Sequence, residues 1–165
     1  MATGSTHPPA SDEEVEERFR SLLEGLRTTL PGVQVLFAFL LALPFQSRFA
    51  DLTETQENVY YLSFVTAAIA SVLLIAPSVH QRMRAPIDGV ARRSYRHLMT
   101  AVHLSIAGTG AFGVALIASS FLVTSLVFDD TVATIGVTLV GALMTWTWLY
   151  MPLVSFSRDD ENPAR

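Results

Sequence analysis

The sequence contains no cysteine and no lysine. The absence of cysteine excludes disulfides, thiolate catalysis and cysteine-based metal sites. Charged residues make up only 16% of the chain, against about a quarter in soluble domains. The sequence also lacks a nucleophile–base pair, paired buried carboxylates and a metal-ligand cluster. It therefore predicts neither an enzyme nor a protein that holds a cofactor or a metal.

Long apolar blocks occupy most of the chain. Hydrophobic residues make up 50% of its 165 residues, and a helix needs about 20 predominantly apolar residues to cross a bilayer. The sequence therefore predicts an all-α fold, an integral membrane bundle of four transmembrane helices over residues 31–155, followed by a polar cytoplasmic tail at 156–165. The predicted spans are about residues 33–49, 59–79, 98–128 and 132–154.

A polar segment precedes the first span. Residues 1–10 include two prolines and are expected to be disordered, and Ser11 with Glu14 fits a capping box at a helix start. Apolar residues then recur at helical spacing opposite a charged face, which predicts an amphipathic cytoplasmic helix over 11–30. Such a helix lies on the membrane or packs on a neighbouring subunit, and a docked cytoplasmic helix is the favoured interpretation. Its apolar face comprises Val15, Phe19, Leu22, Leu23, Leu26 and Leu30.

The charges between the blocks predict the orientation. The segment 80–97 carries five arginines and one acid, whereas 50–58 and 129–131 carry acids and no base. Positively charged connections stay in the cytoplasm. We therefore expect a multi-pass protein of the plasma (inner) membrane with both termini in the cytoplasm. The arginines are explained by topology and lipid head groups, so nucleic acid is not an expected partner.

Polar residues near the first span form a candidate polar path or vestibule. Gln34 lies within the span, where a glutamine lines a pore or hydrogen-bonds between helices. Pro44 is expected to kink the helix, and Gln46, Ser47 and Arg48 follow at the predicted outer end. The alternative role for Arg48 is an interfacial anchor paired with the acids of the next loop.

His103 is a candidate proton-sensitive residue. It lies in the first turns of the third block, near the predicted cytoplasmic interface. A histidine there acts as a proton relay or gate. The alternative is a structural hydrogen bond to a backbone carbonyl.

The third block contains Gly108-Thr-Gly-Ala-Phe-Gly113, which matches the glycine pattern of dinucleotide-binding proteins. That pattern requires a preceding strand and a helix start, and here it falls inside a membrane helix. Close helix packing is therefore the better interpretation. Small residues of this kind serve contacts within one bundle or within a homo-oligomer, and the sequence does not separate these two uses.

The stretch Gly32-Val-Gln-Val-Leu-Phe-Ala-Phe-Leu-Leu-Ala-Leu-Pro-Phe45, with Ser47-Arg-Phe49, resembles the hallmark of an uncharacterised family of small actinobacterial four-helix membrane proteins. Leu74-Ile-Ala-Pro77 resembles the end of that family's second span. The resemblance implies the four-helix fold, and some members carry a sodium:proton antiporter label. Known antiporters depend on membrane-embedded carboxylates, and no acid lies inside a predicted span, so the resemblance adds little about function.

Two functions remain open from the sequence, and both have the lipid bilayer as a partner. The first is a small oligomeric ion channel or transport protein that uses the candidate polar path. The second is a non-catalytic membrane scaffold or accessory subunit of a larger membrane complex, which binds its partner through the amphipathic helix. A homo-oligomer or a larger membrane complex is expected in either case.

Overall fold

The computed structural model describes residues 12–84 and 95–151, which are helical apart from short turns. The predictions for residues 1–10 and for the tail at 156–165 lie outside this part of the chain. The helices are α1 (Asp12–Ala42), α2 (Glu54–Arg84), α3 (Tyr95–Ser125) and α4 (Asp130–Thr145). Two 3₁₀ turns, Leu43–Phe45 and Ser47–Asp51, join α1 to α2, and a π-helical turn, Trp146–Tyr150, extends α4.

All four helices are long and apolar enough to cross a membrane. This finding confirms the all-α class and the number of candidate spans within the described residues. The first stretch begins well before the predicted residue 33 and ends before residue 49. The four stretches are Glu13–Phe45, Glu54–His80, Leu98–Ser125 and Thr131–Trp148.

α1 continues without a break through Pro31 and Gly32, where the sequence predicts a boundary between two helices. The reason is one packing seam along the whole helix: Leu26, Val33 and Leu40 are buried at intervals of seven residues, which is the spacing of a coiled-coil seam. Pro31 lies on the opposite, exposed face. Its ring removes one backbone hydrogen bond, and the packing on either side keeps the helix continuous.

One side of α1 around Leu26 packs against α2 and α3. Leu26 is buried with Val33 of α1 and with Ala70 and Leu74 of α2. The neighbouring leucines of α1 and two residues of α3 pack around this cluster, and they are Leu22, Leu23, Leu30, Ala111 and Phe112. The C-terminal part of the predicted amphipathic helix thus docks on α2 and α3 of the same chain.

α2 and α3 form the central pair and share the most extensive contact in the described chain. Small residues allow the close approach: Ala67 and Ala115 are fully buried with Leu40. The Ser63 hydroxyl, also fully buried, donates to the Ala115 carbonyl at 3.2 Å and links the two helices. At Gly108 an added Cβ would lie 2.8 Å from Leu74 Cγ. The glycine pattern of α3 thus serves helix packing at this position.

α4 contacts α3 and no other long helix among the described residues. Met144 and Trp148 lie against Gly113, and Ile117 of α3 lies against Gly141. Only 6% of the most apolar 18-residue stretch of α4 is buried, against 33% of the corresponding stretch of α3. The predicted four-helix bundle is therefore a three-helix core with α4 attached to one side.

The charges lie mainly at the two ends of the helices. We call the end formed by residues 43–57 and 126–130 the acidic end, because it carries five acids and one base, Arg48. We call the opposite end, with residues 80–84 and 95–97, the arginine end. α1, α2 and α3 each have 31 residues, a length of about 46 Å. This length exceeds the hydrocarbon core of a bilayer, which is about 30 Å thick.

Candidate functional site

Arg48 contacts the end of α3. It lies in the second 3₁₀ turn and is exposed. One guanidinium nitrogen, Nη1, donates to the Leu126 carbonyl at 3.5 Å, the long limit for a hydrogen bond. This carbonyl directly follows α3, where backbone acceptors lack helical donors. In the described chain Arg48 thus caps α3, and the ion pair expected with the acids of its own loop does not form.

Gln56 makes a second link at the acidic end. Its Oε1 accepts from the Thr53 backbone N–H at 3.0 Å, and Thr53 Oγ1 accepts from the Gln56 N–H at 3.4 Å, which is a reciprocal capping box. Gln56 Nε2 also donates to Ser125 Oγ at 3.2 Å. Gln56 is not among the residues predicted from the sequence, although Thr53-x-x-Gln56 is a recognisable capping-box pattern ahead of an apolar run.

Tyr60 compensates for Pro44. Because Pro44 has no N–H, the carbonyl of Leu40 loses the donor that a continuing helix would supply. Tyr60 of α2 donates its hydroxyl to this carbonyl at 3.1 Å. The Tyr60 ring also meets Phe49 edge to face, with 5.0 Å between ring centroids. Pro44 therefore lies just beyond the end of α1, where the sequence predicts a kink within a longer helix.

The structure does not gather the five residues of the predicted polar path. Pro44, Gln46 and Ser47 are exposed in the turns of the acidic end. Gln34 is exposed on α1, roughly 12 Å of helix before Ala42. No hydrogen bond joins Gln34 to the other four residues in the described chain.

His103 is exposed on α3 and bonds to its own helix. Its Nδ1 lies 2.7 Å from the Met99 carbonyl, so Nδ1 carries the proton that it donates. This is the structural alternative for His103, a bond to a backbone carbonyl. Among the described residues, His103 has no second hydrogen-bond partner to which it would pass a proton.

An open cleft of about 500 Å³ separates the arginine-end halves of α1 and α3. Arg18 is its one charged lining residue, and apolar side chains and hydroxyls such as Ser105 and Thr109 form the rest. None of the residues predicted for a polar path lines it. Within residues 12–84 and 95–151, no group of three or more metal-binding side chains occurs either.

Comparison with known proteins gives a family without an assigned activity. Residues 10–152 match a family of unknown function, DUF6328. No curated protein and no solved structure matches the chain. The match covers all four helices and brings no information on the antiporter label that the resemblance raised. The chain therefore belongs to this family of unknown function.

Proposed function

We propose that the chain is a multi-pass membrane protein that crosses the bilayer four times, with the arginine end in the cytoplasm. Four long apolar helices and their largely apolar exposed surfaces support this proposal. Of the arginines in the described chain only Arg48 lies at the acidic end, and this distribution supports the orientation. The side chains on the outside of the core then face lipid or other membrane helices.

We further propose that the protein is a non-catalytic scaffold or accessory subunit. The observation that carries this proposal is the packed, largely apolar centre of the core. Its largest fully buried side chains are Leu40, Leu74, Leu122, Val33, Pro77 and Ser63. The Ser63 hydroxyl is bonded to Ala115, and no buried polar side-chain atom of the described chain lacks a partner. The described centre of the core is thus apolar or hydrogen-bonded, and the open α1–α3 cleft has one charged lining residue, Arg18; this arrangement supports a function in the outer surfaces.

The test compares transport with association. We expect the purified chain in liposomes to pass no more K⁺ or H⁺ than empty liposomes. We also expect mild-detergent extracts of native membranes to contain it in a particle with another membrane protein. Ion flux from the purified chain, or a native particle that contains this chain alone, would contradict the scaffold.

A second candidate, an oligomeric cation channel, is favoured by the acidic end. Asp51, Glu54 and Glu57 are exposed there, and Arg48 contacts a carbonyl rather than these carboxylates. Carboxylates around a mouth enrich cations. In this candidate several copies surround the path, and Glu54→Gln with Glu57→Gln reduces cation flux severalfold. Glu13→Gln with Glu17→Gln, at the opposite end of the helices, is the control, and an equal effect there would argue against the acidic mouth.

A further inference from the structure

Gln34 carries a primary amide on the apolar part of α1. Many hydroxyls of the spans bond back to carbonyls one turn earlier, as Thr66 does to Leu62 and Thr138 does to Thr134. Ser63 bonds across to α3. The Gln34 amide has no partner within the described residues, although it offers two donors and two acceptors. Its requirement for hydrogen bonds is therefore unmet by the single chain.

The position of Gln34 places this amide inside the bilayer, if the chain spans the membrane as proposed. Arg27 is the last charged residue of α1 before it, and Gln34 lies about 10 Å farther along the helix. Eight more helical residues and a 3₁₀ turn follow before Gln46. Hydrocarbon provides no hydrogen-bond partner for an amide at this depth.

The surface around Gln34 suits another helix. Ala38 and Leu41 follow it on the same side of α1, at spacings of one and two turns, and both are exposed. Ala38 is small enough to let a second backbone approach. The buried positions Val33 and Leu40 point elsewhere, into the core. Gln34, Ala38 and Leu41 therefore form a free face of α1, which we call the Gln34 face.

We propose that the Gln34 face binds the same face of a second copy of this chain. Two copies inserted in the same orientation are related by a two-fold axis along the membrane normal, so Gln34 of one copy meets Gln34 of the other. A primary amide is self-complementary, because each donates an N–H to the oxygen of its partner. This inference rests on the proposed membrane insertion.

The absence of natural cysteine allows a direct test by disulfide cross-linking. Ala38→Cys, one turn from Gln34, is the reporter. In membranes where lipid is in large excess over protein, oxidation of this cysteine is expected to give a covalent dimer. Adding Gln34→Leu lowers the dimer fraction by about threefold or more, the effect of losing interhelical hydrogen bonds. Gln34→Asn keeps an amide and restores part of the dimer.

Two control positions define the face. Phe39→Cys lies on another side of α1 and is also exposed, at 48%. Leu143→Cys is 65% exposed on α4. Its neighbour Met144 lies against Gly113 of α3, so position 143 lies at a depth in the bilayer similar to that of the reporter position. Both are expected to give little dimer. Equal cross-linking at all three positions, or no effect of Gln34→Leu, would overturn the interface. A chain absent from the membrane fraction would instead overturn the proposed insertion.

Discussion

Gly108 and Gly110 occupy different environments although they belong to the same sequence pattern. A Cβ at Gly108 would lie 2.8 Å from Leu74 Cγ and 2.9 Å from Leu74 Cδ2, whereas a Cβ at Gly110 meets nothing within 4 Å. Gly108 is thus required where α3 crosses α2, and Gly110 is not. Helix packing therefore explains the glycine at position 108, whereas no contact requires a glycine at position 110.

We expect Gly108→Ala to destabilise the fold by about 1–3 kcal/mol, the usual effect of overpacking a tight contact. Gly110→Ala is expected to be neutral or slightly stabilising, because alanine favours helix more than glycine does. Equilibrium unfolding in detergent micelles measures both. Equal losses for the two variants would contradict the assignment of Gly108 to the α2–α3 contact.

Tyr60 and Tyr61 provide a second matched pair. Tyr60→Phe removes the donor to the Leu40 carbonyl but keeps the ring against Phe49. The expected loss of stability is about 1 kcal/mol, the net contribution of one hydrogen bond. Tyr61 is 68% exposed and has no hydrogen bond in the described chain, so Tyr61→Phe is expected to change little. A larger effect of Tyr61→Phe would count against the role given to Tyr60.

Single-residue roles were only partly predictable from sequence. The polarity of Gln46, Ser47 and Arg48 indicated a polar end, and hydropathy placed Gln34 in a span. The contact between Arg48 and Leu126 was not predictable, because it depends on where α3 ends relative to a turn far away in sequence. The same holds for Tyr60, whose acceptor becomes free only because Pro44 ends α1.

At the level of helices, the continuity of α1 is the main difference from expectation. Proline and glycine together usually mark a boundary, so Pro31 and Gly32 suggested two helices. Hydropathy alone did find four apolar helices, because that signal is carried by about 20 residues at a time. The seven-residue spacing of Leu26, Val33 and Leu40 was the available evidence for one helix, and it concerns packing rather than polarity.

The length of α1 can be measured with two spin labels. Ser21→Cys and Phe39→Cys are exposed positions on α1 outside the Gln34 face, and in labelled chain diluted with unlabelled chain eighteen residues of continuous helix separate their Cα atoms by about 27 Å. We expect a single narrow distance distribution near this value, after allowance for the label linkers. A broad distribution, or one centred at a much shorter distance, would show a break at Pro31.

For the whole molecule, the decisive property is the orientation of the two charged ends. Ser47→Cys lies at the acidic end and Ser21→Cys in the first half of α1, and both are exposed. In intact cells a membrane-impermeant maleimide is expected to label Ser47→Cys, whereas Ser21→Cys reacts only after permeabilisation. Labelling of both in intact cells, or of Ser21→Cys alone, would contradict the proposed orientation.

The attachment of α4 to α3 alone has a consequence for biosynthesis. α1, α2 and α3 leave the ribosome first and contain among themselves the two buried clusters and the Ser63 bond. They can thus assemble while α4 is still being translated, and α4 then needs to find only one neighbour, at Gly113 and Ile117. The helix that is synthesised last thus contributes no residue to either buried cluster.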